Sequence, residues 1–155
     1  MNFPPSLICV DANIFVSALI SAELQHRLSA LSLSLIEKRS IEIFVPTMVV
    51  FEVTSSLYKK CYNHEITEKD RNEAAEIFLT LPLLLEWQPI LLKKAMRFAT
   101  QMKRKKIYDC VYLAVASNRG IPLLTNDEAL LKNGKNFYPE IFSPAEFCDS
   151  FFDKE

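Results

Sequence analysis

The run Leu7-Ile8-Cys9-Val10-Asp11-Ala12-Asn13-Ile14-Phe15 constrains this chain more than any other stretch. A short apolar run of Leu, Ile and Val near the start of a sequence reads as a strand buried on both faces, the signature of a central strand in a parallel α/β sheet. Asp11 then stands at the strand's carboxyl end. Ligands of open α/β sheets bind just outside those ends, so an acid placed there is a candidate functional group before any motif is invoked.

Composition narrows the alternatives. The 155 residues are half hydrophobic, which suits one domain over 1–155 with a real core. Lys+Arg 18 against Asp+Glu 19 gives a net charge of -1, so any basic patch for a nucleic acid must be local. Cys9, Cys61, Cys110 and Cys148 form no CxxC pair, and three of them lie inside apolar runs; they read as reduced core thiols of a cytoplasmic protein. No basic segment precedes an apolar one at the N-terminus, and no apolar stretch approaches the roughly 18 residues that span a bilayer, so neither export nor a membrane location is expected. With only two Gly, glycine-rich phosphate loops are absent, which removes P-loop and dinucleotide-binding readings.

Further along, Ile14 to Ile20 begins a helix, and Leu24, Leu28, Leu31 and Leu35 recur at helical spacing up to Lys38-Arg39. Ile41 to Val45, closed by Pro46, is a second strand. Thr47 is the expected cap of a helix with Val49, Val53 and Leu57 on its core stripe and Glu52 among them. Thr67 to Asp70 has the form of a capping box opening a helix through Ala75, Ile77 and Leu79. Leu83 to Trp87 is a third strand, and Pro89 suits the first turn of a helix carrying Leu92, Ala95, Met96 and Ala99 inward and ending in Lys103-Arg104-Lys105-Lys106. Ile107 to Ala116 is apolar on almost every side, as in a helix buried mid-domain, and Gly120 supplies its stop. Ile121 to Leu124 is a fourth strand, Glu128 to Lys132 a short helix, Phe137 to Phe142 an edge strand, and Ser143-Pro144 opens a terminal helix with Phe147, Phe151 and Phe152. About five strands alternating with helices make a three-layer α/β/α domain with a parallel sheet.

Four carboxylates stand out, each with a plain structural alternative. Asp11 can serve as the N-cap of the next helix, since Asp is among the best caps. Glu52 can reach solvent between apolar stripes. Asp109 can also cap, yet it opens the most apolar helix of the chain, where an unpaired charge costs several kcal/mol. Asp127 follows Thr125, and Thr125-x-x-Glu128 is itself a capping box in which Asp127 is a first-turn acid. Jointly, these acids can gather in one crevice if the first and fourth strands are neighbours across a topological switch point. Four such carboxylates need cations, and oxygen-only ligands favour Mg²⁺ or Mn²⁺ over Zn²⁺.

Val10-Asp11-Ala12-Asn13-Ile14-Phe15, Phe51-Glu52-Val53, Tyr108-Asp109-Cys110-Val111 and Leu124-Thr125-Asn126-Asp127-Glu128 resemble the ordered motifs of PIN-domain nucleases, most closely the VapC-type toxins of toxin-antitoxin systems. The resemblance implies a sheet ordered 3-2-1-4-5 and a Mg²⁺- or Mn²⁺-dependent endoribonuclease that leaves 5′-phosphate and 3′-hydroxyl ends. It places the catalytic and metal-binding acids on Asp11, Glu52, Asp109 and Asp127, with Asn13 and Thr125 as supporting polar groups. Glu128, beside Asp127, leaves the fourth acid ambiguous by one position. The resemblance further implies a small antitoxin partner and a homodimer, for which Leu24 to Leu35 or Phe147 to Phe152 can supply an apolar surface.

Lys103, Arg104, Lys105 and Lys106 precede Asp109 and are the candidate RNA contacts, with a solvated helix end as the plain alternative. Tyr108 and Tyr112 are candidates for base stacking or for the core. A PIN-fold protein-binding module without cleavage is disfavoured by retention of all four acids, and an RNA-processing nuclease outside a toxin-antitoxin pair would differ in its neighbouring genes. An aspartyl-phosphate enzyme or receiver needs an acid where Asn13 stands, or one after the third strand, where only Glu86 is available.

Overall fold

The computed structural model describes residues 4–152, so both ends of the expected 1–155 unit lie outside it, as does the side chain of Phe152. Within it, five parallel strands run in the order β3-β2-β1-β4-β5, the order the resemblance implied. They are β1 (Leu7–Val10), β2 (Glu42–Pro46), β3 (Leu83–Glu86), β4 (Leu123–Leu124) and β5 (Ile141–Phe142). Ile8, Cys9 and Val10 are fully buried, which is what their unbroken apolar run requires of a central strand.

Parallel strands need crossovers, and right-handed crossovers decide the layers. Helices α1 (Ala12–Leu19), α2 (His26–Lys38), α3 (Val49–Tyr62) and α4 (Glu68–Leu79) belong to the steps from β1 out to β3, and α1 packs on α2 and α3, and α3 on α4. The return from β3 to β4 reverses direction, so α5 (Pro89–Gln101) and α6 (Tyr108–Arg119) pack together on the other face, with α6 against β1, β2 and β4. A short α7 (Glu128–Asn133) links β4 to β5, and α8 (Pro144–Phe152) packs on α2. The result is the expected three-layer α/β/α architecture with its core along β1 and α6, where Cys110 to Ala116 are all buried.

Several helices differ in detail from their sequence patterns. The leucine stripe from Leu24 to Leu35 is not the inner face of one continuous helix: residues 20–25 break it, Leu24 is 96% exposed, and α2 turns Ser29, Ser32 and Ile36 inward instead. Ser32 satisfies its hydroxyl by bonding back to the Leu28 carbonyl at 2.8 Å, which lets a polar residue sit inside. Thr47 does not cap α3; its hydroxyl donates to the Glu86 carbonyl at 3.2 Å and ties β2 to β3. The capping box of α4 forms as expected, with Asp70 N–H on the Thr67 hydroxyl at 3.1 Å. On α4 the buried residues are Ala74 and Phe78, with Ile77 and Leu79 exposed; on α5 Phe98 goes inward in place of Met96.

Helix ends are closed with almost no glycine. Gly120 takes the left-handed conformation after α6 at φ 65°, as its position suggested. Ser40, His64 and Lys103 adopt the same region without being glycine, at φ 53°, 59° and 54°. In each case the next residue's N–H reaches back five positions: Ile41 to Ile36, Glu65 to Lys60 and Arg104 to Ala99, at 3.0, 2.9 and 2.8 Å. These are Schellman ends, whose bonds offset the cost of a side chain at positive φ. Consequently α5 stops at Gln101, and Lys103 to Lys106 form a loop rather than a last helical turn.

Candidate metal centre

The register of β1 on β4 pairs Cys9 with Leu123 and Val10 with Leu124, so one step further Asp11 and Thr125 come level at the carboxyl edge of the sheet. The Asp11 N–H bonds the Leu124 carbonyl at 3.0 Å, which fixes that level. Asp11 occupies the N-cap position of α1 in an extended conformation, yet its side chain makes no capping bond. Its Oδ2 instead accepts the Thr125 hydroxyl at 2.7 Å and the Asn13 amide at 3.1 Å. Because no buried side-chain oxygen among the described residues lacks a partner, Oδ1, which receives no such bond, remains open to solvent.

Thr125 is the hub of this arrangement. Its fully buried hydroxyl donates to Asp11 and accepts the Asp127 N–H at 3.0 Å, with the Asn13 amide a further 3.4 Å contact. The Asn13 amide is oriented by the Asn126 N–H, which donates to Asn13 Oδ1 at 3.1 Å and so turns the Asn13 NH₂ toward Asp11. Asn126 in turn sends its side-chain amide to Ser29 at 3.2 Å. Asn126 lies within the fourth motif, but Ser29 carries no sequence signal, because it stands off the leucine stripe of its helix.

The other acids approach from separate elements. Glu52, in the first turns of α3, accepts a 2.9 Å bond from the Tyr112 hydroxyl, which rises from the core of α6. Tyr112 is therefore a fully buried link to Glu52 and not a stacking surface, whereas Tyr108 is exposed. Asp109 lies in the first turn of α6 without capping it. Asp127 does cap: its Oδ1 accepts the Leu130 N–H at 2.8 Å, so the cap is Asp127 itself and not Thr125. Glu128, one residue on, is exposed.

Arg104 joins two of these acids. Its guanidinium pairs with Asp109 Oδ2 and, at 3.2 Å, with Asp127 Oδ2. Of the basic run, Arg104 is thus turned toward the acids, while Lys103, Lys105 and Lys106 are exposed in the loop beside them. A cavity of about 420 Å³ is lined by Pro46, Met48, Phe51, Trp87, Leu91 and Leu92 among others. Glu86 lines it too, but its carboxylate is committed to Arg119 at 3.1 Å and Gln88 at 2.6 Å, so it does not offer a phospho-acceptor.

Electrostatics ties the four acids together. Burial pushes the Asp11 carboxyl up from 3.8 to about 7; the Thr125 bond opposes this, and the charges of Asp109, Glu52 and Asp127 add to it. Glu52 is raised by burial first, against the Tyr112 bond, with Asp109 contributing. Carboxylates gathered this closely, two of them raised, have the donor chemistry for a hard divalent cation. As they stand, no three His, Cys, Asp or Glu side chains among the described residues form a group that could hold a metal ion, and Arg104 is the cation between Asp109 and Asp127. The thiols take no part: burial raises Cys110 to about 11 and Cys9 well above its ordinary value, and all four cysteines are free.

Solved structures share this fold. VapC20 of Mycobacterium tuberculosis, described as a sarcin-ricin loop cleaving toxin, is 18% identical, with 82% of this chain and 95% of that chain covered at a TM-score of 0.63. VapBC2 of Rickettsia felis, solved bound to a fragment of its promoter DNA, is 16% identical over 88% and 96% of the two chains, with a TM-score of 0.60. PAE2754 of Pyrobaculum aerophilum is 19% identical over 89% of each, with a TM-score of 0.56. No curated protein matches the sequence. The PIN domain family model matches residues 8–136, from β1 through the turn after α7, and therefore spans every acid of the crevice. The chain belongs to the PIN domain family.

Proposed function

We propose that this protein is a Mg²⁺- or Mn²⁺-dependent endoribonuclease, the toxin of a VapBC-type toxin-antitoxin pair. Membership of the PIN family supports a nuclease, and the fold shared with VapC20 and with the VapBC2 complex supports a toxin with an antitoxin partner. The observation that carries the reading is Asp11: a carboxylate at an N-cap position that does not cap, held by Thr125 and Asn13 and raised by burial, to which three other acids add.

Asp11, Asp109 and Asp127 are the proposed cation ligands, with Glu52 at the flank where Tyr112 fixes its orientation. A bound divalent cation would make water a competent nucleophile at neutral pH and stabilise the leaving 3′ oxygen. Asp11 offers Oδ1 while Thr125 and Asn13 keep Oδ2 occupied, so the carboxylate cannot rotate away from the crevice. Lys103, Lys105 and Lys106 supply positive charge for the RNA phosphates at the same rim.

As a surface for the antitoxin or for a homodimer, the segment from Leu24 to Leu35 exposes Leu24 and Leu31. The terminal segment is a poorer candidate, since Phe147 is fully buried and Phe151 packs edge-on against it at 5.1 Å. No helix of the described residues is long and apolar enough to cross a membrane, in keeping with a proposed cytoplasmic location.

The test is cleavage of a mixed RNA pool by purified protein with Mg²⁺ or Mn²⁺, with and without chelator, beside Asp11→Asn and Asp109→Asn. Cleavage should need the cation and vanish in both variants. Undiminished cutting by both variants would sink the assignment. One observation favours the second reading, a PIN-fold binding module that does not cut: Arg104, not an open carboxylate pair, stands between Asp109 and Asp127. Intact RNA under all conditions would select it.

A further inference from the structure

We propose that Arg104 is a built-in counter-ion of the crevice, and that a divalent cation loads only by displacing its guanidinium from Asp109 and Asp127. The inference rests on the metal-dependent reading above and adds to it a residue outside the acid set. Arg104 is placed there by the backbone. Lys103 takes the left-handed conformation at φ 54°, and the Arg104 N–H then closes α5 on the Ala99 carbonyl at 2.8 Å. The end of α5 therefore aims this one side chain of the basic run at the acids, while its lysine neighbours remain exposed.

The bonding pattern fits a stand-in for a cation. One guanidinium nitrogen, Nη2, reaches Oδ2 of both Asp109 and Asp127, bridging an acid of α6 and the N-cap of α7. The ion pairs are only partly solvent-covered, with 27% of the arginine side chain and 30% and 20% of the two acids exposed. Such pairs are strong enough to hold a resting geometry and weak enough to yield to a divalent ion. Asp11 and Glu52 form no ion pair with Arg104, being held by Thr125, Asn13 and Tyr112. Loading then means exchanging one monovalent contact at Asp109 and Asp127, with Asp11 already in place.

The experiment is calorimetric titration of the full chain with MnCl₂, without RNA, for the wild type, Arg104→Gln, Arg104→Lys and Lys38→Gln. Lys38 is exposed at the end of α2, beside the amino end of β2 and so across the sheet from the crevice; its variant removes the same charge remotely. Arg104→Gln is expected to bind Mn²⁺ about fivefold or more tightly, with Lys38→Gln near wild type and Arg104→Lys between. Affinity for Mn²⁺ that is equal or weaker in Arg104→Gln, in a wild type that binds, overturns the inference and leaves the metal reading standing. An equal gain in Lys38→Gln overturns it as a bulk charge effect. No binding by any protein overturns both. Should Arg104→Gln fail to fold by circular dichroism, Arg104→Lys decides: tighter than wild type supports the inference and unchanged affinity overturns it.

Discussion

Asp11→Asn should stabilise this protein in the absence of metal, and only above mildly acid pH. The Asp11 carboxyl is pushed up to about 7 in the folded chain against an ordinary 3.8, chiefly because it is 97% removed from solvent. At about 1.4 kcal/mol per pH unit, that gap is worth at most about 4 kcal/mol. The sign follows from linkage. Below the unfolded value the group is protonated in both states and costs nothing. As pH rises from 3.8 toward 7, the unfolded chain releases its proton first, so stability is lost across that window, and the loss is complete above it. Asparagine keeps the acceptor that Thr125 and Asn13 bond and puts its NH₂ at the open Oδ1 position, removing the charge without emptying the space. Allowing for relaxation of the neighbouring acids, a gain of about 2 kcal/mol at pH 8 is expected, or about 1 M in the urea midpoint. At pH 4 the gain should vanish. Urea melts of both proteins in chelator at pH 4, 6 and 8 read this directly, and saturating Mg²⁺ at pH 8 should remove the difference by stabilising the wild type. A gain that is the same at pH 4 and pH 8 would refute the electrostatic origin.

Three further outcomes follow from single contacts. Tyr112→Phe removes the only donor to the Glu52 carboxylate among the described residues and should cost about 1 kcal/mol in thermal melts while lowering the RNA cleavage rate. Thr125→Val preserves shape but strands the Asp127 N–H and leaves Asp11 Oδ2 with the Asn13 amide alone; it should cost about 2 kcal/mol, with Thr125→Ser retaining most of the stability. Lys103→Gly removes the side-chain penalty at φ 54° and, after the extra freedom glycine gains in the unfolded chain, should stabilise by about 0.5 kcal/mol in urea melts.

What the sequence showed of the fold was what hydrophobic pattern controls. The Leu7 to Val10 run located the central strand, the apolar sweep of Cys110 to Ala116 located the buried helix, and Pro89 and Gly120 marked a start and a stop. Where tertiary packing overrode the pattern, reading failed. Leu24 and Leu31 have helical spacing, but the neighbours of α2 accept Ser29 and Ser32, because Asn126 needs a partner and Ser32 bonds its own helix. Three helix ends lack the glycine that usually announces them, so nothing in the sequence marks the stop at Gln101 and the basic run reads as part of the helix it follows.

The acids show why residue type alone could not separate site from scaffold. Asp11 and Asp127 both stand at N-cap positions, and capping competence is the same for both. Asp127 divides its oxygens, one to the Leu130 N–H and one to Arg104. Asp11 gives none to its helix, because the β1–β4 register brings the Thr125 hydroxyl within 2.7 Å and Asn13 adds its amide, so those donors fix the carboxylate before a cap can form. The difference lies in a residue more than a hundred positions away, level with Asp11 only after the sheet is assembled. Local sequence names the candidate acids; strand order and register decide which oxygen is left open.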